Sequence, residues 1–162
     1  MIRASRFVAI MLAALALSLT SAHVLEMPQK LQYDADLYAQ VNTTMYRYFA
    51  IVGGICSMGA IAATAVLTLL LRGRGATFRW TAAATGMYLL WFASWLAAVV
   101  PVNRRIAEAM SLDPGAVPML WQALRARWEY GHAIGFGLEA FGFAALAISV
   151  LVDTPGPASN SD

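Results

Sequence analysis

Charge is what this chain has least of. Only 12% of its 162 residues are Asp, Glu, Lys or Arg, against roughly 25% in a soluble globular domain. With 60% hydrophobic residues, that shortage excludes an ordinary water-soluble domain and indicates an integral membrane protein whose surroundings are a lipid bilayer. A net charge of +2 is too small for a nucleic-acid surface, so no nucleic-acid partner is expected. Cysteine is nearly absent. Cys56 stands alone in an apolar run, which excludes an internal disulfide and leaves it a small packing residue. No internal repeat is evident.

What the chain has in quantity is apolar sequence. Arg3 and Arg6 precede an apolar run over residues 7–17, and Thr20-Ser21-Ala22 resembles a signal-peptidase site that would leave His23 as a new N-terminus. Apolar character continues through Val24, Leu25 and Met27, which favours an uncleaved first span over about residues 7–27, stopped by Pro28. Residues 29–44 carry Lys30, Asp34, Asp36 and Asn42 and read as a loop or surface helix turn. Tyr33, Tyr38, Tyr46 and Tyr48 around it read as an interfacial aromatic belt. The second span covers about residues 49–71, and Gly53, Gly54, Gly59, Ala60, Ala62 and Ala63 suit close helix approach. A basic turn holds Arg72, Arg74 and Arg79. The third span covers about residues 80–100, with Trp80, Tyr88, Trp91 and Trp95 as packing residues, and Pro101 ends it. Asn103, Arg104 and Arg105 follow at the surface, then a short helix over 106–110 and a turn at Asp113-Pro114-Gly115. Pro118 suits a first helical turn. Residues 119–152 then read as one long helix, amphipathic at first and membrane-spanning from about 130 to 152. Residues 153–162 read as a disordered tail.

The expected fold is all-α: a single domain over residues 1–152, forming a four-transmembrane-helix up-down-up-down bundle with a short extracytoplasmic amphipathic helical segment. Arg3, Arg6, Arg72, Arg74 and Arg79 share one end. The positive-inside rule makes that end, and both termini, cytoplasmic, in a bacterial cytoplasmic (inner) membrane. At the other end the topology gathers His23, Glu26, Asn42, Asn103, Arg104, Arg125, Glu129 and His132 at one depth. Ionisable groups are costly in a membrane and face inward, so their convergence predicts a polar pocket between the helices.

The stretch from Trp121 to Glu139 is the centre of that pocket. At helical spacing Arg125, Glu129, His132, Phe136 and Glu139 lie along one face. Three readings follow. In the first, the pocket does acid–base chemistry: His132, Glu129, His23 and Glu26 move protons, and Arg125 or Arg127 stabilises the anion formed. Asn103, Trp121, Trp128, Tyr130 and Phe136 then line a site for a flat aromatic or lipid-like substrate. In the second, His23, Glu26, Glu129 and His132 bind a metal such as Zn, Fe or Cu, since Glu-x-x-His is a spacing that metal-binding bundles use. In the third, the protein is a non-enzymatic accessory subunit whose glycine-rich second helix packs on a membrane partner or in a homo-oligomer. Against the first two stands plain structure: Arg125 and Glu129 are an ordinary i, i+4 pair, and buried His and Glu satisfy one another.

Three motifs carry a family resemblance: His23-x-x-Glu26-x-Pro28, Pro101-x-Asn103, and Trp121-x-x-Leu124-Arg125-x-Arg127-Trp128-Glu129-x-x-His132. Over about residues 7–151 the chain resembles the anthrone oxygenase-like family of small four-helix membrane proteins, most of which form a domain of unknown function. The resemblance implies oxidation of an anthrone-like aromatic by O₂ as co-substrate, without a cofactor. Carried onto this chain, it implies His132 or Glu129 as base and Arg125 or Arg127 as anion stabiliser. The chain departs from the family at two places: bacterial members often carry arginine where it has Gly135, and fungal members often carry asparagine where it has His132.

Overall fold

A computed structural model describes residues 1–154, apart from the side chain of Arg47. Every regular element among these residues is helical. The elements are α1 (Ile2–Lys30), α2 (Ala35–Thr44), α3 (Tyr46–Leu70), α4 (Gly75–Leu112), a 3-10 turn (Pro114–Ala116) and α5 (Val117–Leu151). Four helices, α1, α3, α4 and α5, are long and apolar enough to cross a membrane. The expected all-α bundle is the fold observed. The expected disordered tail falls almost wholly on residues 155–162, outside the described residues.

Around the bundle the helices run in the order α1, α3, α4, α5, each packed mainly on its two neighbours. Ala9, Ala13 and Ala16 form the buried stripe of α1, where small side chains let backbones close up without a hydrophobic driving force. Gly59 of α3 faces Leu12 so closely that an added Cβ would sit 3.1 Å from it. Gly54 is different: a Cβ there would meet nothing within 4 Å. The small residues of α3 therefore do two jobs, only one of which is helix packing. Cys56 is buried in α3, as a packing residue should be.

Both prolines expected to end helices lie inside them. Pro28 is followed by two more helical residues. At Pro101 the helix runs on to Leu112, because Val99, Val102 and Ile106 on both sides of the proline are buried in one cluster with Trp121 and Trp128. The short helix read over residues 106–110 is the end of α4. A proline has no N–H for the carbonyl four residues back, which is a serious loss in an apolar medium unless a neighbour replaces it. Here the neighbour is visible: Arg127 Nη2 on α5 donates to the Ala97 carbonyl at 2.6 Å. Arg127→Met is accordingly expected to destabilise the protein by about 1–3 kcal/mol. The same change in a Pro101→Ala background should cost much less, because an alanine in place of the proline supplies the missing N–H. Paired denaturation curves of the single and double variants check this.

At the basic end Asp153 ties three segments together. Its carboxylate pairs with Arg6 at 2.7 Å and Arg74 at 3.5 Å and accepts from Thr77 at 3.3 Å. The hydrogen bond from Arg6 holds this carboxyl below the usual carboxylate range. Asp153, read as the start of a loose tail, is instead a clasp between the N-terminus, the α3–α4 turn and the end of α5.

Candidate functional site

At the end of the bundle away from Asp153, the four long helices line a cavity of about 340 Å³, with Asn42 and Thr43 of α2 on its wall. Two imidazoles meet there. His23 comes from α1 and His132 from α5, and their ring centroids are 4.4 Å apart. Both line the cavity. His23 stacks on Tyr46 at 4.7 Å and meets the edge of Trp128 at 5.3 Å. Its Nδ1 is buried with no hydrogen-bond partner among the described residues. His132 Nδ1 lies 2.9 Å from the Trp128 carbonyl. A carbonyl can only accept, so Nδ1 carries a proton, and in the neutral ring Nε2 then holds the lone pair.

The remaining wall is aromatic and apolar, with Phe49, Trp91, Phe92, Trp95, Trp121 and Trp128. Trp91 and Trp95, read as plain packing residues, form part of the lining. Asn103 lines the cavity and accepts from Trp128 Nε1 at 2.9 Å, which sets the indole's orientation. Gly135 lies against Trp91, where an added Cβ would sit 3.2 Å from the indole, so any larger residue here would press on that ring.

The other expected site residues part company here. Glu129 is 1% exposed but faces away from the cavity, toward Lys30 Nζ at 2.9 Å and the Tyr38 hydroxyl at 2.8 Å. Burial first, and then the Glu129 carboxylate, push the Tyr38 hydroxyl above the ordinary tyrosine range, so it stays protonated and donates. Glu26 accepts a hydrogen bond from Tyr46 and also lies off the cavity wall. Arg125 donates to the Tyr33 carbonyl at 2.8 Å and pins the α1–α2 turn, while Arg127 serves the Pro101 break. Neither arginine lines the cavity, nor does Phe136. Tyr130 is 56% exposed on the outer surface of α5. Arg104 forms an exposed pair with Glu108 at 3.0 Å. The four residues considered for a metal do not converge: no group of three or more His, Cys, Asp or Glu side chains that could hold one forms among the described residues.

Several residues of the site were not expected. Lys30 is only 2% exposed, and its ammonium lies 4.5 Å from the Tyr46 ring and 5.0 Å from the Trp128 ring, a favourable placement for a cation. Its signal in the sequence was its register, two helical turns from His23 and so on the same face. Tyr38 and Tyr46, read as belt residues, are buried. Deeper in the bundle Glu139, expected on the inward face, is fully buried and accepts from Thr20 at 2.7 Å and Ser57 at 3.0 Å. Both hydroxyl residues line the cavity, so its apolar wall has a polar floor. No protein-family model, no curated protein and no solved structure matches this chain.

Proposed function

We propose that this protein is a membrane-embedded enzyme that oxidises a flat aromatic or phenolic compound with O₂, using its histidine pair as the base. One observation carries the reading: two imidazoles from the first and last helices, in ring contact, on the wall of a largely apolar cavity rich in aromatic rings. A ring-lined cavity of this size suits a small planar ligand. The free lone pair on His132 Nε2 is what removing an acidic C–H or O–H proton requires. The resemblance to anthrone oxygenases points to the same chemistry.

The reaction balances without another oxidant. The base takes a proton from an activated CH₂, and the carbanion is delocalised into the ring. It passes an electron to O₂, and the radical pair combines to a hydroperoxide, R₂CHOOH. Loss of water leaves R₂C=O, so R₂CH₂ + O₂ gives R₂C=O + H₂O. Positive potential at the site comes from Lys30 behind Tyr46 and Trp128, partly offset by Glu129, rather than from Arg125 or Arg127. The arginines near Asp153 make that end cytoplasmic in this reading, which puts the cavity in the outer half of a bacterial inner membrane.

The test uses the full chain in lipid nanodiscs with anthrone as probe, following O₂ uptake and anthraquinone together. One O₂ should disappear per anthraquinone formed, faster than with empty nanodiscs and unchanged by a chelator. Rates equal to those of empty nanodiscs, for anthrone and for simple phenols, would remove the oxygenase reading.

A further inference from the structure

The cavity is not closed on all sides. Of the four neighbouring pairs of long helices, α3 and α4 touch least. Near the basic end a hydrogen bond between the Thr68 and Thr85 hydroxyls, 3.0 Å long, joins them. Toward the other end residues of both helices line the cavity. Ala50, Gly54 and Met58 of α3 line the cavity and are also exposed. Gly54 lies about two turns into α3, roughly 12 Å along its axis, inside a segment apolar enough to span a membrane. Across the slot stand Phe92 and Trp95, both half-buried. Further along α4, Asn103, Ala107 and Met110 line the same cavity and are exposed too. The opening therefore runs from the depth of Met58 to the polar end of the bundle.

From this we infer that the cavity takes a membrane-borne amphiphile, with its aromatic or polar head beside His23 and His132 and its apolar chain leaving between α3 and α4 into the bilayer. This rests on the ligand-cavity part of the proposed function, not on the oxidation chemistry. In water an apolar slot of this kind would be costly. In a bilayer, acyl chains wet it without penalty, because lipid tails are as apolar as its walls. A ligand dissolved in the membrane can slide sideways to the histidines without crossing water. Its chain makes much the same contacts in the slot as in lipid, so the chain sets the direction of approach and the head sets selection. A helix of a second copy fits the feature poorly: a helix with side chains is about 10–12 Å across, and the feature is a hollow reaching inward to the imidazoles.

The experiment uses para-dodecylphenol with a diazirine at the chain end, added to the full-length protein in nanodiscs. After photolysis, labelled residues are located by peptide mass spectrometry. Label should concentrate on the two banks of the slot, near Met58 and Phe92. Excess unlabelled para-dodecylphenol should reduce it at least about tenfold, the mark of a saturable site. Gly54→Trp, which places an indole in open space, should reduce it similarly. Even labelling around all four helices, or labelling that competitor does not reduce, would overturn the inference. So would a Gly54→Trp protein that loses a dimer but keeps the label. If Gly54→Trp fails to fold, competition on the unmodified protein decides alone. Competed labelling without any O₂ consumption sinks the oxygenase reading and leaves the slot standing. Turnover with unlocalised label does the reverse.

Discussion

His132→Ala is expected to lower turnover by about 10²–10⁴-fold, the usual contribution of a positioned general base, while the protein still inserts and purifies. The fold should survive because His132 is only half-buried and its one polar contact is to a backbone carbonyl of its own helix. That carbonyl, on Trp128, still has its helical partner when the ring is gone. His23 remains in the variant, but its Nδ1 is buried without a partner and its ring is sandwiched among Tyr46, Phe49 and Trp128. It is placed to support the ring beside it rather than to replace it. A merely structural role for His132 would move the unfolding midpoint and leave the rate per folded molecule alone. Full activity in His132→Asn, which keeps a polar group but no base, would transfer the proton-removing role to His23.

The second large effect is on stability. Lys30 and Glu129 form an ion pair with 2% and 1% exposure. Breaking a buried pair by removing one partner strands the other charge, which costs about 3–5 kcal/mol. Lys30→Met should fall in that range. Glu129→Gln should fall near it, since the amide oxygen still accepts from Tyr38 but the ammonium loses its counter-charge. The double variant should be more stable than either single one, because no buried charge is left. Denaturation of all four proteins in the same detergent gives the coupling energy directly. Strictly additive losses would mean the two groups do not feel each other.

These two predictions concern residues three apart in one motif, with unrelated roles, and helix geometry explains why. Residues three apart on a helix differ in direction by roughly 60°. Glu129 and His132 looked like partners by spacing. On α5 that angle is enough to turn one toward Lys30 and Tyr38 and the other into the cavity. The spacing marks a face, and a face as wide as this one touches more than one neighbour.

Hydropathy alone carried the architecture. Long apolar runs with short connections have few ways to cross a bilayer, since backbone polar groups must find partners there and a helix supplies nearly all of them itself. From that topology the meeting of His23 and His132 also followed, although they are far apart along the chain. Tertiary packing decided the rest. Pro101 stays inside a helix because Val99, Val102 and Ile106 are buried around it and Arg127 reaches across to the Ala97 carbonyl. Lys30 became a buried site residue instead of a surface one because Glu129 and Tyr38 come to meet it from other elements. The division has one cause. Transfer into lipid depends on the composition of each segment by itself, whereas the partner of a polar side chain depends on which neighbouring helix its face meets, a relation between segments that no single segment contains.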